Sequence, residues 1–289
     1  MALAAAVAPA ATAAAATGAA PGIRAAGCSN RIWPISGNWD GIGGDGIGVV
    51  VDDGVNLTWQ LRNGPNAGPP DIVINYGNSC DIPVVGNWDG AGGDTPGVVR
   101  PVAAGGSYHD WQWNLHNSNT SGIGEIKFTY GRAYVNDALA YWPVAGNWDG
   151  IGGDGPGVAG GNASGSKAWH LRNAPSGGDP DYNLVYGLTG FGDAPLAGNW
   201  DGVGGDTPGV VRAAPDSFTW LERNSLSSGT ADITFYYGNG TRTDSVVGGD
   251  WDGVGGDGPG VFRFNSGTGH WQWHLRNGAA GQPWIFDYP

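Results

Sequence analysis

Basic residues are scarce in this sequence. Thirteen Lys and Arg stand against 26 Asp and Glu, giving a formal net charge of −13 and a pI near 4.4. Nucleic-acid affinity rests on Lys and Arg neutralising phosphates, so DNA and RNA are excluded as partners. Sustained helical periodicity of apolar residues is missing, which argues against a helical solenoid. Polar residues and Pro interrupt the apolar stretches, so no membrane span is expected. The HEXXH and GxSxG motifs of metallo- and serine hydrolases do not occur. Cysteine is limited to Cys28 and Cys80.

Glycine is abundant instead, with 56 Gly and 19 Pro among 289 residues. Without order, such a composition would indicate disorder. Here the glycines keep fixed places in a repeat, as turn punctuation between strands. Variants of GNWDGIGGDG begin at Gly37, Gly86, Gly146, Gly198 and Gly249, at intervals of 49 to 60 residues. A period near fifty marks an array of supersecondary units that bury their cores against one another.

The second unit shows the parts. PVVGNWDG (Pro83–Gly90), GVVR (Gly97–Arg100), WQWNLHN (Trp111–Asn117) and EIKFTYG (Glu125–Gly131) each read as a short strand, a to d. The other units match, with TWQLRN, AWHLRN, TWLERN and WQWHLRN as strand c. Four strands per unit predict propeller blades. The expected fold is therefore all-β, a five-bladed β-propeller over residues 31–289. Closure is expected from side-chain packing, with no strand exchanged between the first and last units.

Residues 1–30 are Ala-rich and outside the array, so they read as a secretion signal or a disordered leader, and the protein as secreted. Cys28 and Cys80 occupy nearly equivalent places in neighbouring units. A bridge between them would close a loop of about fifty residues and contribute on the order of 4 kcal/mol. The alternative is a free leader thiol and one buried cysteine.

Through GNWDGxGGDxPGV, WxLRN and the junction from YG to PVVG, all five units resemble the FG-GAP/VCBS-type propeller repeats of bacterial secreted proteins. The resemblance implies a turn of the form D-x-D-x-D-G-x-x-D between strands a and b, which holds calcium. The implied ligands are Asn38, Asp40 and Asp45; Asn87, Asp89 and Asp94; Asn147, Asp149 and Asp154; Asn199, Asp201 and Asp206; and Asp250, Asp252 and Asp257. The pattern departs at position five, where Ile42, Ala91, Ile151, Val203 and Val254 replace a ligand. Any calcium would therefore be held weakly, most strongly in the fifth turn. The competing reading is that these Asn and Asp side chains hydrogen-bond their own turn.

Strand direction sorts residues onto two rims. The GNWDG turns and the arginines of WxLRN (Arg62, Arg172, Arg223 and Arg276) fall on a lower rim, where pairing between the two is expected. Of 15 tryptophans, ten recur in every unit and read as blade packing. Trp33 and Trp142 before strand a, and Trp111 and Trp271 opening strand c, gather on the upper rim, with Arg100, Arg212 and Arg263 at the end of strand b. Only Trp284 lies below. Flat aromatic faces with nearby polar groups suit a carbohydrate or peptide platform, although the same rings could plug gaps between blades.

The leading expectation is a secreted, non-enzymatic binding or adhesion propeller whose ligand is a glycan or cell-surface polysaccharide. The alternatives are a polysaccharide-active lyase or glycosidase and a scaffold that docks another protein. A glycosidase needs two carboxyls at fixed separation. His109, Asp110, Asp137, Asp193 and Asp244 lie on the upper rim without forming a recognisable pair. The longest connection, Tyr130–Trp142, suits either a ligand lip or a docking contact.

Overall fold

The computed structural model describes residues 30–106, 108–134, 141–240 and 244–288. The leader with Cys28, and part of the Tyr130–Trp142 connection with Asp137, lie outside these. Among the described residues, twenty strands form five antiparallel sheets, each built from four consecutive strands. Blade 1 comprises β1 (Ile32–Gly37), β2 (Gly46–Asp52), β3 (Asn56–Arg62) and β4 (Ile72–Asn78). Blade 2 comprises β5 (Ile82–Gly86), β6 (Thr95–Ala103), β7 (Tyr108–Leu115) and β8 (Ile126–Tyr134). Blade 3 comprises β9 (Trp142–Gly146), β10 (Gly155–Gly161), β11 (Ser166–Leu171) and β12 (Tyr182–Leu188). Blade 4 comprises β13 (Ala194–Gly198), β14 (Thr207–Ala214), β15 (Ser217–Glu222) and β16 (Ile233–Tyr236). Blade 5 comprises β17 (Ser245–Gly249), β18 (Gly258–Asn265), β19 (His270–Arg276) and β20 (Pro283–Tyr288). The first strands of the blades meet around a central axis, β17 packing against β1. The molecule is a five-bladed β-propeller.

Alternation along the third strand builds each blade core. Trp59, Trp113, Trp169, Trp220 and Trp273 are essentially inaccessible to solvent. A buried indole N–H needs an acceptor. Trp59, Trp113 and Trp169 donate theirs to the carbonyls of Tyr76, Tyr130 and Tyr186 on the fourth strand, and Trp220 to that of Tyr237 just after it, at 2.8–3.1 Å.

Blades join by sending one valine into the core of the blade before. Val98 packs into blade 1, Val158 into blade 2, Val210 into blade 3 and Val261 into blade 4. Val49 of blade 1 completes the circle by packing into blade 5. This explains the YG motif. Gly77 sits at φ +93°, and a Cβ there would lie 2.7 Å from Val98. Only glycine combines that backbone with that close approach.

The repeated turn supplies a second joint. The Asp94 N–H donates to the Asn38 carbonyl (2.7 Å), and the Asn38 N–H donates to Asp94 Oδ2 (2.7 Å). Asp154 with Asn87, Asp206 with Asn147, and Asp257 with Asn199 repeat this double bond. Asp45 and Asp250 repeat it between blades 1 and 5, at 2.6 and 2.9 Å. Ring closure was expected from side-chain packing; it also uses backbone hydrogen bonds. Those bonds satisfy turn groups that would otherwise be lost to the interior.

Candidate functional site

The five inner strands enclose a channel of about 550 Å³ along the axis. Their short sequences, rich in Pro, Gly, Ala and Val, keep side chains small and leave this space open. Two side chains break that pattern. Trp33 and Trp142 line the channel at its upper mouth, where the equivalent positions hold Ile82, Ala194 and Ser245. Both indoles are half-buried, and Trp33 also packs against the core of blade 1.

The same two blades lack a feature the other three share. Arg100 makes a two-pronged ion pair with Asp81, at 2.7 and 2.6 Å. Arg212 binds Asp193 and Arg263 binds Asp244 in the same way. These three aspartates are buried. In blade 1 the pair becomes Ile32 and Val51, and in blade 3 it becomes Tyr141 and Gly160. A Cβ on Gly160 would lie 2.7 Å from the Tyr141 ring, so the aromatic side chain occupies the arginine's space.

At the other end of the channel lie Asp45, Asp94, Asp154, Asp206 and Asp257, the carboxylates of the interblade joints. Burial raises the carboxyl pKa of Asp45 to about 8, and repulsion from Asp94, Asp250 and Asp206 adds to the effect. Burial alone raises Asp94 to about 6; Asp206 reaches about 6 through burial with a contribution from Asp94. Burial, then neighbouring aspartates, lifts Asp154 and Asp257 well above the ordinary carboxylate range. Among the described residues no Lys or Arg counters these shifts, so Asp94 and Asp206 hold protons up to about pH 6 and Asp45 up to about pH 8.

The sequence-derived candidates divide accordingly. Trp33 and Trp142 share the channel mouth. Trp111 does not face a ligand: it is 1% exposed, and its indole N–H donates to the Tyr141 carbonyl at 2.9 Å. It plugs the seam between blades 2 and 3. Trp271 stacks parallel on Phe262, with centroids 4.7 Å apart, and so packs within blade 5. Arg100, Arg212 and Arg263 are held by their aspartates rather than presented to a ligand. Asp193 and Asp244 are the partners in two of those pairs, and Asp110 pairs with Arg132 at 2.6 Å.

The loop ligand sets are divided too. Asp45, Asp94, Asp154, Asp206 and Asp257 turn to the neighbouring blade. Asp40, Asp89, Asp149, Asp201 and Asp252 each accept the N–H two residues on at 3.0 Å, completing their own turns. Asn38, Asn87, Asn147 and Asn199 donate to the carbonyl five residues on. Asp250 accepts the N–H groups of Gly253 and Val254. Among the described residues, no group of three or more His, Cys, Asp or Glu is gathered to hold a metal ion.

The lower arginines do not pair with the turns as expected. Arg62, Arg172 and Arg223 donate to the carbonyls of Pro69, Asp179 and Thr230, and Arg276 to that of Gly278. Each thereby closes its own loop between the third and fourth strands. Cys80 is disulfide-bonded, and the chain's other cysteine, Cys28, lies outside the described residues.

Sequence reasoning missed the Arg–Asp pairs and the interblade aspartates. A signal existed for the first: arginine follows aspartate by 19 residues in three blades, and both are lost together in the other two. The chain matches no known family model, no curated protein and no solved structure.

Proposed function

We propose that this chain is a secreted, non-enzymatic binding propeller of the FG-GAP/VCBS type, and that its ligand is a carbohydrate seated at the upper channel mouth. The observation that carries this reading is the placement of Trp33 and Trp142. Both replace smaller side chains, and both stand in the blades that give up the Arg–Asp pair. An indole offers an apolar face to a sugar ring and an N–H to its hydroxyls. The channel behind this mouth, about 550 Å³ in volume and polar at its far end, is of the size that holds a small ligand or one chain end. The disulfide at Cys80 supports an oxidising, extracellular setting.

Array binding with a broad set of glycans and polysaccharides tests the proposal, run with calcium and again with chelator. Saturable binding is expected in both conditions, and it should be lost in the Trp33→Ala, Trp142→Ala double variant while the circular dichroism spectrum is kept. Binding that requires calcium would move the site to the aspartate turns. Absence of glycan binding would overturn the reading in favour of a protein-docking scaffold.

A further inference from the structure

The lower face carries a second feature, independent of the channel mouth. Each repeated turn directs one side chain away from the body of its blade: Ile42, Ala91, Ile151, Val203 and Val254. Four of them are large, and they are 75–77% exposed, among the most accessible apolar side chains of the described residues. Exposed aliphatics occurring singly are ordinary, but five at one repeat position make a ring. The hydrogen bonds that close each turn use the backbone N–H at this position and not its side chain.

The ring is rigidly set. Neighbouring turns touch through glycine backbones: a Cβ on Gly41 would lie 2.9 Å from Gly92, and one on Gly90 would lie 2.9 Å from Gly152. Gly150 meets Gly204, Gly202 meets Gly255, and Gly253 meets Gly43 and Gly44 in the same way. The five aliphatic tips are therefore presented on one continuous hoop, with little ordering left to be lost on contact.

Charge identifies the occupant. Beside the aliphatic tips stand Asp40, Asp89, Asp149, Asp201 and Asp252, all exposed. Among the described residues none of these five carboxylates forms an ion pair. The arginines of this rim lie farther from the axis, at the ends of the third strands, and are engaged by their own loops. A second copy of the chain would bring acid against acid, as would an anionic membrane surface. We infer that the hoop of turns is a docking face for a lysine- or arginine-rich protein segment that also carries apolar side chains. Its cations would meet the turn aspartates while its apolar groups cover the aliphatic tips, the combination that gives an interface both steering and a desolvated centre.

The test uses the full chain and a fluorescent twelve-residue peptide of lysine and leucine, beside a lysine–serine peptide of equal charge. The lysine–leucine peptide should bind saturably and weaken as salt rises. The Ile42→Ser, Ile151→Ser, Val203→Ser, Val254→Ser variant, shown folded by its melting curve, should bind it at least about tenfold more weakly. The lysine–serine peptide should bind the native chain with a similar loss. Ile151→Lys with Val203→Lys, which adds repulsion without relying on the serine variant, should weaken the lysine–leucine peptide further. Equal binding to native and serine forms, or no binding of the lysine–leucine peptide, overturns the inference. So does a concentration-dependent dimer, seen by sedimentation, that the four serines abolish, since the occupant would then be a second copy. Glycan binding at the upper mouth should be unchanged in these variants, so failure here is distinguishable from failure of the carbohydrate reading.

Discussion

The two rims of this propeller are made from one repeat, yet they treat repetition in opposite ways. On the lower rim every blade contributes the same turn, the same interblade aspartate and the same pair of hydrogen bonds. On the upper rim three blades hold an Arg–Asp pair, and two replace it with apolar groups and add a tryptophan at the channel. Uniformity follows from the joint: a part that must fit its neighbour five times over is constrained at every copy. The Arg–Asp pairs of the upper rim each lie within one blade, so its positions are free to differ. The repeat-breaking residues are accordingly where a ligand is sought, and the uniform ones where the ring is held.

Raising the pH from 4 to 8 should show the largest difference, because it acts on the lower joints together. In the folded state Asp45 titrates near 8 and Asp94 and Asp206 near 6, against an ordinary value of 3.8. Between those limits the unfolded chain has released protons that the ring retains, so stability falls as pH rises. The contribution is fully present below about pH 4 and lost through about pH 8. Thermal melts from pH 4 to 9 should show a falling melting temperature, and Asp45→Asn should flatten the upper part of that slope. A melting temperature that rises across this window would refute the proton-bearing ring.

A steric break of a single joint ranks next. A Cβ at Gly93 would lie 2.2 Å from the Asn38 carbonyl oxygen, so Gly93→Ala pushes blades 1 and 2 apart. The expected cost is about 3 kcal/mol by chemical denaturation, the upper end of ordinary overpacking. On the upper rim, Arg212→Ala leaves the buried Asp193 without its partner, within one blade. A cost of about 2 kcal/mol is expected, because Arg212 itself is partly exposed and water reaches the vacated site. Recovery of most of that loss in the Arg212→Val, Asp193→Ile form, which copies blade 1, would confirm that the pair and its apolar substitute are interchangeable.

Much of the fold was legible because each repeat holds its own complete sheet. The alternating tryptophan and leucine of WxLRN mark the core face, and GNWDG marks the first turn. The joints were not legible for the same reason. Asp45 stands seven residues after Asn38, and that spacing suggests a loop whose side chains converge on themselves. Its real partner is Asp250, in another blade, and a motif repeated identically gives no sign of which copy it faces. Trp111 shows a related limit: strand direction located its rim correctly, but whether its ring faced solvent or the Tyr141 carbonyl depended on the adjacent blade. Trp33 and Trp142 were easier to recognise, since a departure from a repeat is visible in one sequence.

The valine that each blade lends to the one before it runs in a closed cycle, Val49 included. The boundary between the last blade and the first therefore uses the same valine joint as the other four boundaries. A circularly permuted chain, opened in the loop that follows Arg172 and rejoined across the old ends, would meet the same set of neighbours at every step around the circle.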